Sequence, residues 1–112
     1  MTARINYVEL PVGDLSAATV FYETAFDWQL TGFGATYAAT TNGVTDIGFQ
    51  ADASEARPAP LPVIGVDDID AALDRVSGAG GTIIQAIFAF PGGRRFHFLD
   101  PAGNELAVAQ YE

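Results

Sequence analysis

Two stretches of the chain, 54 residues apart, repeat the same local grammar. Val12-Gly13-Asp14-Leu15 recurs as Val66-Asp67-Asp68-Ile69, and Ala17-Ala18 recurs as Ala71-Ala72. In each copy an Asp stands immediately before an apolar residue that opens a run of helical spacing, the signature of a capped helix start. In each copy the same order of elements surrounds that helix. Short matches alone carry little weight, but a repeated order of elements restricts the chain to two copies of one supersecondary unit.

The first copy opens with a strand over Ile5–Val12. Ile5, Tyr7 and Glu9 point one way, and Asn6, Val8, Leu10 and Val12 point the other, toward a helix layer. A helix follows from the Asp14 cap, with Leu15, Ala18, Tyr22 and Ala25 or Phe26 on one face, and it ends at Asp27. Trp28–Phe33, Thr36–Thr41 and Val44–Gln50 read as three short strands, with Asn42-Gly43 as a hairpin turn. Residues 53–60, with two prolines and no periodicity, read as a linker between a first module at 1–52 and a second at 61–112.

The pattern then restarts. Leu61–Val66 is a strand, Asp67 or Asp68 caps a helix, and Gly80-Gly81 stops it with Gly80 just past the cap. Thr82–Phe90, Arg94–Leu99 and Glu105–Tyr111 are strands, separated by Pro91-Gly92-Gly93 and Asp100-Pro101-Ala102-Gly103-Asn104. The expected fold is α+β: two βαβββ modules forming one domain, a curved, cup-like mixed sheet with helices outside. A concave sheet face is a natural small-molecule site.

Composition removes several kinds of chemistry. The chain has no cysteine and its basic residues are all arginine, which excludes thiolate metal sites, cysteine nucleophiles and lysine Schiff bases. A single histidine, His97, cannot supply a two-histidine metal site within one chain. A net charge of −9 repels phosphate backbones and anionic membranes, so neither nucleic acid nor a membrane is an expected partner. Hydrophobic residues at 49% support a folded core, and no apolar run reaches the ~20 residues of a membrane span. Met1–Ile5 carries no signal-peptide hydrophobic region, so a cytoplasmic location is expected.

Three segments give the chain a family likeness. They are Glu9-Leu10-Pro11-Val12-Gly13-Asp14-Leu15 with Phe21-Tyr22 and Phe26-Asp27-Trp28; Val66-Asp67-Asp68-Ile69-Asp70-Ala71-Ala72 with Gly80-Gly81; and Phe98-Leu99-Asp100-Pro101-Ala102-Gly103-Asn104-Glu105-Leu106. With these the chain resembles the vicinal oxygen chelate superfamily, which includes glyoxalase I, extradiol dioxygenases, fosfomycin-resistance enzymes and bleomycin-resistance proteins. The resemblance implies paired βαβββ modules and, in the enzymes, a divalent metal held from strands one, four, five and eight. Carried over by position, the first-strand histidine becomes Tyr7, its second-module equivalent Leu61 and the last-strand glutamate Ala107. A fourth position lies near Asp46 to Gly48.

A phenol, an isobutyl group and a methyl group make no closed metal site. The expectation is therefore a small-molecule-binding protein with no catalytic metal. A divalent metal on displaced ligands (Asp46, Glu105, Glu9 and His97) is the alternative, and a non-catalytic interaction module is a third reading.

Strand parity places Tyr7 and Glu9, Leu61 and Val63, and Glu105, Ala107 and Ala109 on the face away from the helices; the resemblance sets Arg95 and His97 there too. Glu9 and His97 are the candidate acid–base pair, and Tyr7, Arg95, Leu61 and Glu105 are candidate ligand contacts. A plainer account pairs Glu9 with Arg94 or Arg95 across the sheet, sets Arg94 against an aromatic ring and leaves His97 packed in an aromatic wall. Trp28, Phe33, Tyr37, Phe88 and Phe90 line the cup or fill the core. A homodimer is expected.

Overall fold

The computed structural model describes residues 3–112. Among them lie eight strands and two helices in an α+β arrangement: β1 (Ala3–Pro11), α1 (Leu15–Phe26), β2 (Thr31–Gly32), β3 (Tyr37–Ala39), β4 (Asp46–Gln50), β5 (Leu61–Val66), α2 (Ile69–Gly78), β6 (Thr82–Phe90), β7 (Gly93–Leu99) and β8 (Glu105–Tyr111). The chain divides into two compact units. One is Tyr7–Leu61; the other joins Pro62–Glu112 with the start of β1 through Asn6.

In the first unit β1 runs parallel to β4, and β4, β3 and β2 pair antiparallel, giving the order β2-β3-β4-β1. In the second unit β5 runs parallel to β8, and β8, β7 and β6 pair antiparallel, giving β6-β7-β8-β5. The two four-stranded arrangements thus share one topology, as the repeat requires.

The repeat extends to the caps. Asp14 has φ −136° and ψ 103°, and its side chain accepts the Ala17 N–H at 3.0 Å. Asp68 has φ −138° and ψ 97°, and accepts the Ala71 N–H at 3.0 Å. Each carboxylate satisfies a helix-end donor and places negative charge at the positive end of the helix dipole. The helices stop differently. α2 closes with Gly80 at φ 102°, its N–H on Ser77 O and the Gly81 N–H on Val76 O, the paired-bond C-terminal motif that favours glycine. α1 closes on Asp27 in the left-handed region at φ 59°, its N–H on Glu23 O.

The second unit has a well-formed core. Ile69 and Ala72 of α2 meet Phe96 and Phe98 of β7 and Val108 of β8, with Leu73, Val76, Ile64 and Leu106 packed around them. Burying Phe96 or Ile69 fully contributes roughly 1.5–3 kcal/mol each. Gln110 Oε1 accepts the Ile69 N–H at 2.9 Å, which ties the start of α2 to β8. In the first unit Tyr22 of α1 rests on fully buried Phe49 of β4, with ring centroids 5.1 Å apart.

The longest departure from the sequence expectation is Trp28–Phe33, where only Thr31–Gly32 is strand. The left-handed turn at Asp27 sends Trp28 back onto α1, where it stacks on Tyr22 at 5.3 Å, so this segment follows the helix rather than the sheet. The third strand also stops early, at Ala39. The reason is Asp46, whose carboxylate accepts from Thr40 Oγ1 and from the N–H groups of Asn42 and Gly43, and so holds the turn itself.

Candidate functional site

The sheet registers decide which side chains share a face. In the first unit Val8, Leu10, Ile47, Phe49 and Ala38 face α1, and Tyr7, Glu9, Gly48, Ala39 and Tyr37 share the opposite, helix-free face. Gly48 sits between β1 and β3 on that face. It has no side chain, and Tyr7 and Tyr37 fill the space above it: a Cβ there would overlap both hydroxyls and lie 2.8 Å from Tyr37 Cζ. A glycine inside a strand marks such a close approach.

The two phenols hydrogen-bond to each other, and the Tyr37 hydroxyl donates to Glu9 Oε1 at 3.1 Å. Because the Tyr37 proton goes to Glu9, the Tyr7 hydroxyl donates to Tyr37. The result is an ordered chain, Tyr7 to Tyr37 to Glu9, ending on a carboxylate that is only 6% exposed. Burial, and then the adjacent Glu9 charge, push the Tyr37 hydroxyl far above the ordinary phenol range, so Tyr37 stays neutral and remains a donor. The arrangement can relay a proton toward Glu9 or present a polarised phenol to a ligand.

In the second unit Phe96, Phe98, Leu106 and Val108 face α2. The helix-free face carries Arg95, His97, Glu105, Ala107, Ala109, Val63 and Gly65. His97 is buried, and its Nδ1 meets Glu105 Oε2 at 2.8 Å. That carboxylate fixes the ring with Nδ1–H toward it and leaves Nε2 as the basic nitrogen. Phe88 of β6 stacks on the His97 ring at 6.0 Å, and the Arg95 guanidinium lies over Phe88 and Phe90 at 5.4 and 5.6 Å. Ring faces hold a planar guanidinium in an orientation suited to a carboxylate. Arg94 instead pairs with exposed Asp70 of α2 at 3.7 Å, so the arginine that stacks on aromatic rings is Arg95.

Each candidate residue therefore has a definite place. Tyr7 and Glu9 come together through Tyr37, and His97, Glu105 and Arg95 form a second group around Phe88. The structure gives Glu9 a tyrosine partner and His97 a glutamate partner. Leu61 is buried and apolar. Tyr37 is the residue that sequence reasoning treated only as one aromatic among five. The available signal was Gly48, a lone glycine inside a strand.

The positions that the family resemblance assigns to a metal do not fit one. Tyr7 is engaged with Tyr37, Leu61 and Ala107 offer no donor atom, and Asp46 holds its own turn. Among the described residues no three His, Asp or Glu side chains cluster as a metal site.

The sequence profile of the glyoxalase/bleomycin resistance protein/dioxygenase superfamily matches residues 4–108. The chain belongs to this superfamily. Proteins named "Putative glyoxylase CFP32" from Mycobacterium bovis and Mycobacterium tuberculosis are 30% identical over 116 residues, covering 94% of this chain and 44% of theirs. The chain thus spans less than half the length of these curated relatives. Among solved structures, a hypothetical protein from Bacillus halodurans C-125 superposes with a TM-score of 0.83 at 16% identity, over 100% of this chain and 96% of that one. Methylmalonyl-CoA epimerase from Mycobacterium tuberculosis superposes at 0.75 with 16% identity, over 96% and 87%. At these identities the likeness is one of fold, and a fold hosts many chemistries. No helix among the described residues is long and apolar enough to cross a membrane.

Proposed function

We propose that this superfamily member binds a small molecule on the helix-free faces of its βαβββ units without a catalytic metal, and that any reaction it performs is acid–base chemistry. Glu9 is the base or acceptor and His97 the second proton-transfer group. Tyr7 and Arg95 are the ligand contacts, Leu61 is apolar lining, and Glu105 is the orienter of His97. The observation that carries this reading is the Tyr7–Tyr37–Glu9 chain: a phenol stands at the family's first-strand metal position and is tied through a second phenol to a buried carboxylate. The non-ligating Leu61 and Ala107 support it. The working assembly is a homodimer in the cytoplasm.

Metal content and ligand binding test the proposal. Protein purified without chelators and challenged with Zn, Ni, Mn and Fe(II) should retain well under one metal per chain by elemental mass spectrometry. Bleomycin, named in the superfamily's description, is the first probe, followed by tryptophan fluorescence. Glu9→Gln should weaken its binding at least ~10-fold, the loss of one charge-assisted hydrogen bond, with the folded state retained. One tightly held metal per chain, lost in His97→Ala, would overturn the metal-free reading. Equal binding of bleomycin by parent, Glu9→Gln and His97→Ala would remove these residues from a site for that ligand.

A further inference from the structure

The two helices of this protein differ in a way that packing within the chain does not explain. α2 is amphipathic: Ile69 and Ala72 are buried, and Asp70, Asp74 and Arg75 face outward. α1 has no buried residue at all. Its inner stripe, Leu15, Ala18, Thr19 and Tyr22, is half-buried over the sheet. Its outer stripe, Ala17, Val20, Phe21 and Thr24, is uncharged and exposed, with Val20 and Phe21 each 59% exposed. Phe26 at 58% and Trp28 at 37% extend the apolar surface past the helix end.

We infer that the outer face of α1 docks against α1 of a second copy of this chain, antiparallel across a twofold axis; the inference rests on the homodimer of the preceding reading and says which surface makes it. The spacing i, i+3, i+4, i+7 is that of one helix packed on another. An antiparallel pair centred on Val20 and Phe21 sets small Ala17 against small Thr24 at each end and opposes the two helix dipoles.

Charge selects the occupant. The chain carries −9, so two copies repel wherever their acids meet, and α1 contributes a single charged residue, Glu23. Glu23 is turned toward its own chain, where it accepts the Leu30 N–H at 3.3 Å. A basic partner would be drawn to the acidic surface elsewhere; an uncharged face suits a partner of the same sign. The area also fits. The exposed parts of Val20, Phe21, Phe26 and Trp28 sum to on the order of 400 Å², about the apolar share of an interface burying ~800 Å² per partner.

Sedimentation of the intact protein between 1 and 100 µM (roughly the range of a moderate dimer) tests the inference. The parent should be dimeric, and Val20→Glu/Phe21→Glu should weaken association ~100-fold or more by setting like charges across the axis. Val44→Glu, at a loop residue 74% exposed, should remain dimeric. Because the chain has no cysteine, Val20→Cys gives an independent readout: mild oxidation should yield a covalent dimer, and Val44→Cys should not. A dimeric parent with a dimeric Val20→Glu/Phe21→Glu variant and no Val20→Cys cross-link would overturn this surface and leave the homodimer standing. A monomeric parent at the highest concentration would overturn both. Should the double variant fail to fold, the cross-linking result decides.

Discussion

Replacing Gly48 by alanine adds one methyl group where two phenols meet, and the consequences can be worked from the geometry. The backbone at Gly48 is ordinary strand, so alanine meets no conformational penalty there. The whole effect is steric: the new Cβ overlaps the Tyr7 and Tyr37 hydroxyls and approaches Tyr37 Cζ at 2.8 Å. Forcing a methyl into packed surroundings costs roughly 1–3 kcal/mol. If the rings swing aside instead, Glu9 loses its phenol donor inside a buried site, a loss of about 1.5–3 kcal/mol. The two routes together predict a destabilisation of about 1–3 kcal/mol, or a fall in Tm of about 4–12 °C for a domain of this length. Urea unfolding of the parent and of Gly48→Ala measures it, and a cycle in the Tyr7→Phe/Tyr37→Phe background isolates the cause. With both hydroxyls gone most of the overlap goes too, so the cost of Gly48→Ala should fall by at least ~1 kcal/mol. An equal cost in both backgrounds, or a cost under ~0.5 kcal/mol in the parent, would refute the claim that the two tyrosines meet over Gly48.

The Tyr37 hydroxyl makes stability depend on alkaline pH. Its folded value lies far above the unfolded value of 10.0, so above that pH the unfolded chain releases a proton that the folded chain keeps. Stability from this group is intact below pH 10 and lost above it, at up to ~1.4 kcal/mol per pH unit; in Tyr37→Phe, unfolding measured from pH 9 to 11 should show a correspondingly shallower loss. The matching helix caps predict matching costs: Asp14→Ala and Asp68→Ala should each destabilise by about 1 kcal/mol in urea unfolding. A difference above ~1 kcal/mol between them would show that their equal geometry conceals unequal surroundings.

The fold was legible because its determinants are local and appear twice. An Asp before an apolar run, a Gly-Gly stop and strand-length alternation each declare themselves within a few residues, and both caps form as read. On β7 alternation alone left the phase open; the family resemblance set it, and the structure has Phe96 and Phe98 under α2 and Arg95 and His97 away from it. Partnership was not legible. Which group Glu9 meets depends on the register of β3 against β4 and on the reach of a phenol across β4, and neither leaves a mark within a short window. The same holds for Arg94 and Arg95: adjacent in sequence and opposite in facing, they part because β7 turns Arg95 toward Phe88 and Arg94 toward α2, so the ring contact expected of Arg94 falls to Arg95. Trp28 was misread as strand because its aromatic β propensity yields to a left-handed turn at Asp27 that no propensity scale records.

The registers permit a comparison that locates where the duplicated units diverged. Counting from the equivalent strands, Tyr7 and Glu9 of β1 correspond to Leu61 and Val63 of β5, and Gly48 of β4, opposite Glu9, corresponds to Ala107 of β8, opposite Val63. On the third strand of each pairing, Tyr37 and Ala39 correspond to Arg95 and His97. The first unit is therefore polar on its opening strand and small at Ala39, and the second is apolar on its opening strand and polar at His97. The Gly48–Ala107 difference follows from this. Two phenols need the space above Gly48, whereas Ala107 lies beside Val63 and needs no such gap. Caps, topology and helix-facing residues were kept in both copies, and the helix-free faces were rewritten in complementary positions. That pattern is expected when folding constrains the scaffold of each unit and leaves its helix-free face open to change. It also makes a substitution exchange informative: Val63→Glu should destabilise the protein in urea unfolding, since the residue at the Tyr37 position, Arg95, is already held against Phe88 and Phe90 and a carboxylate buried there has no phenol to donate to it.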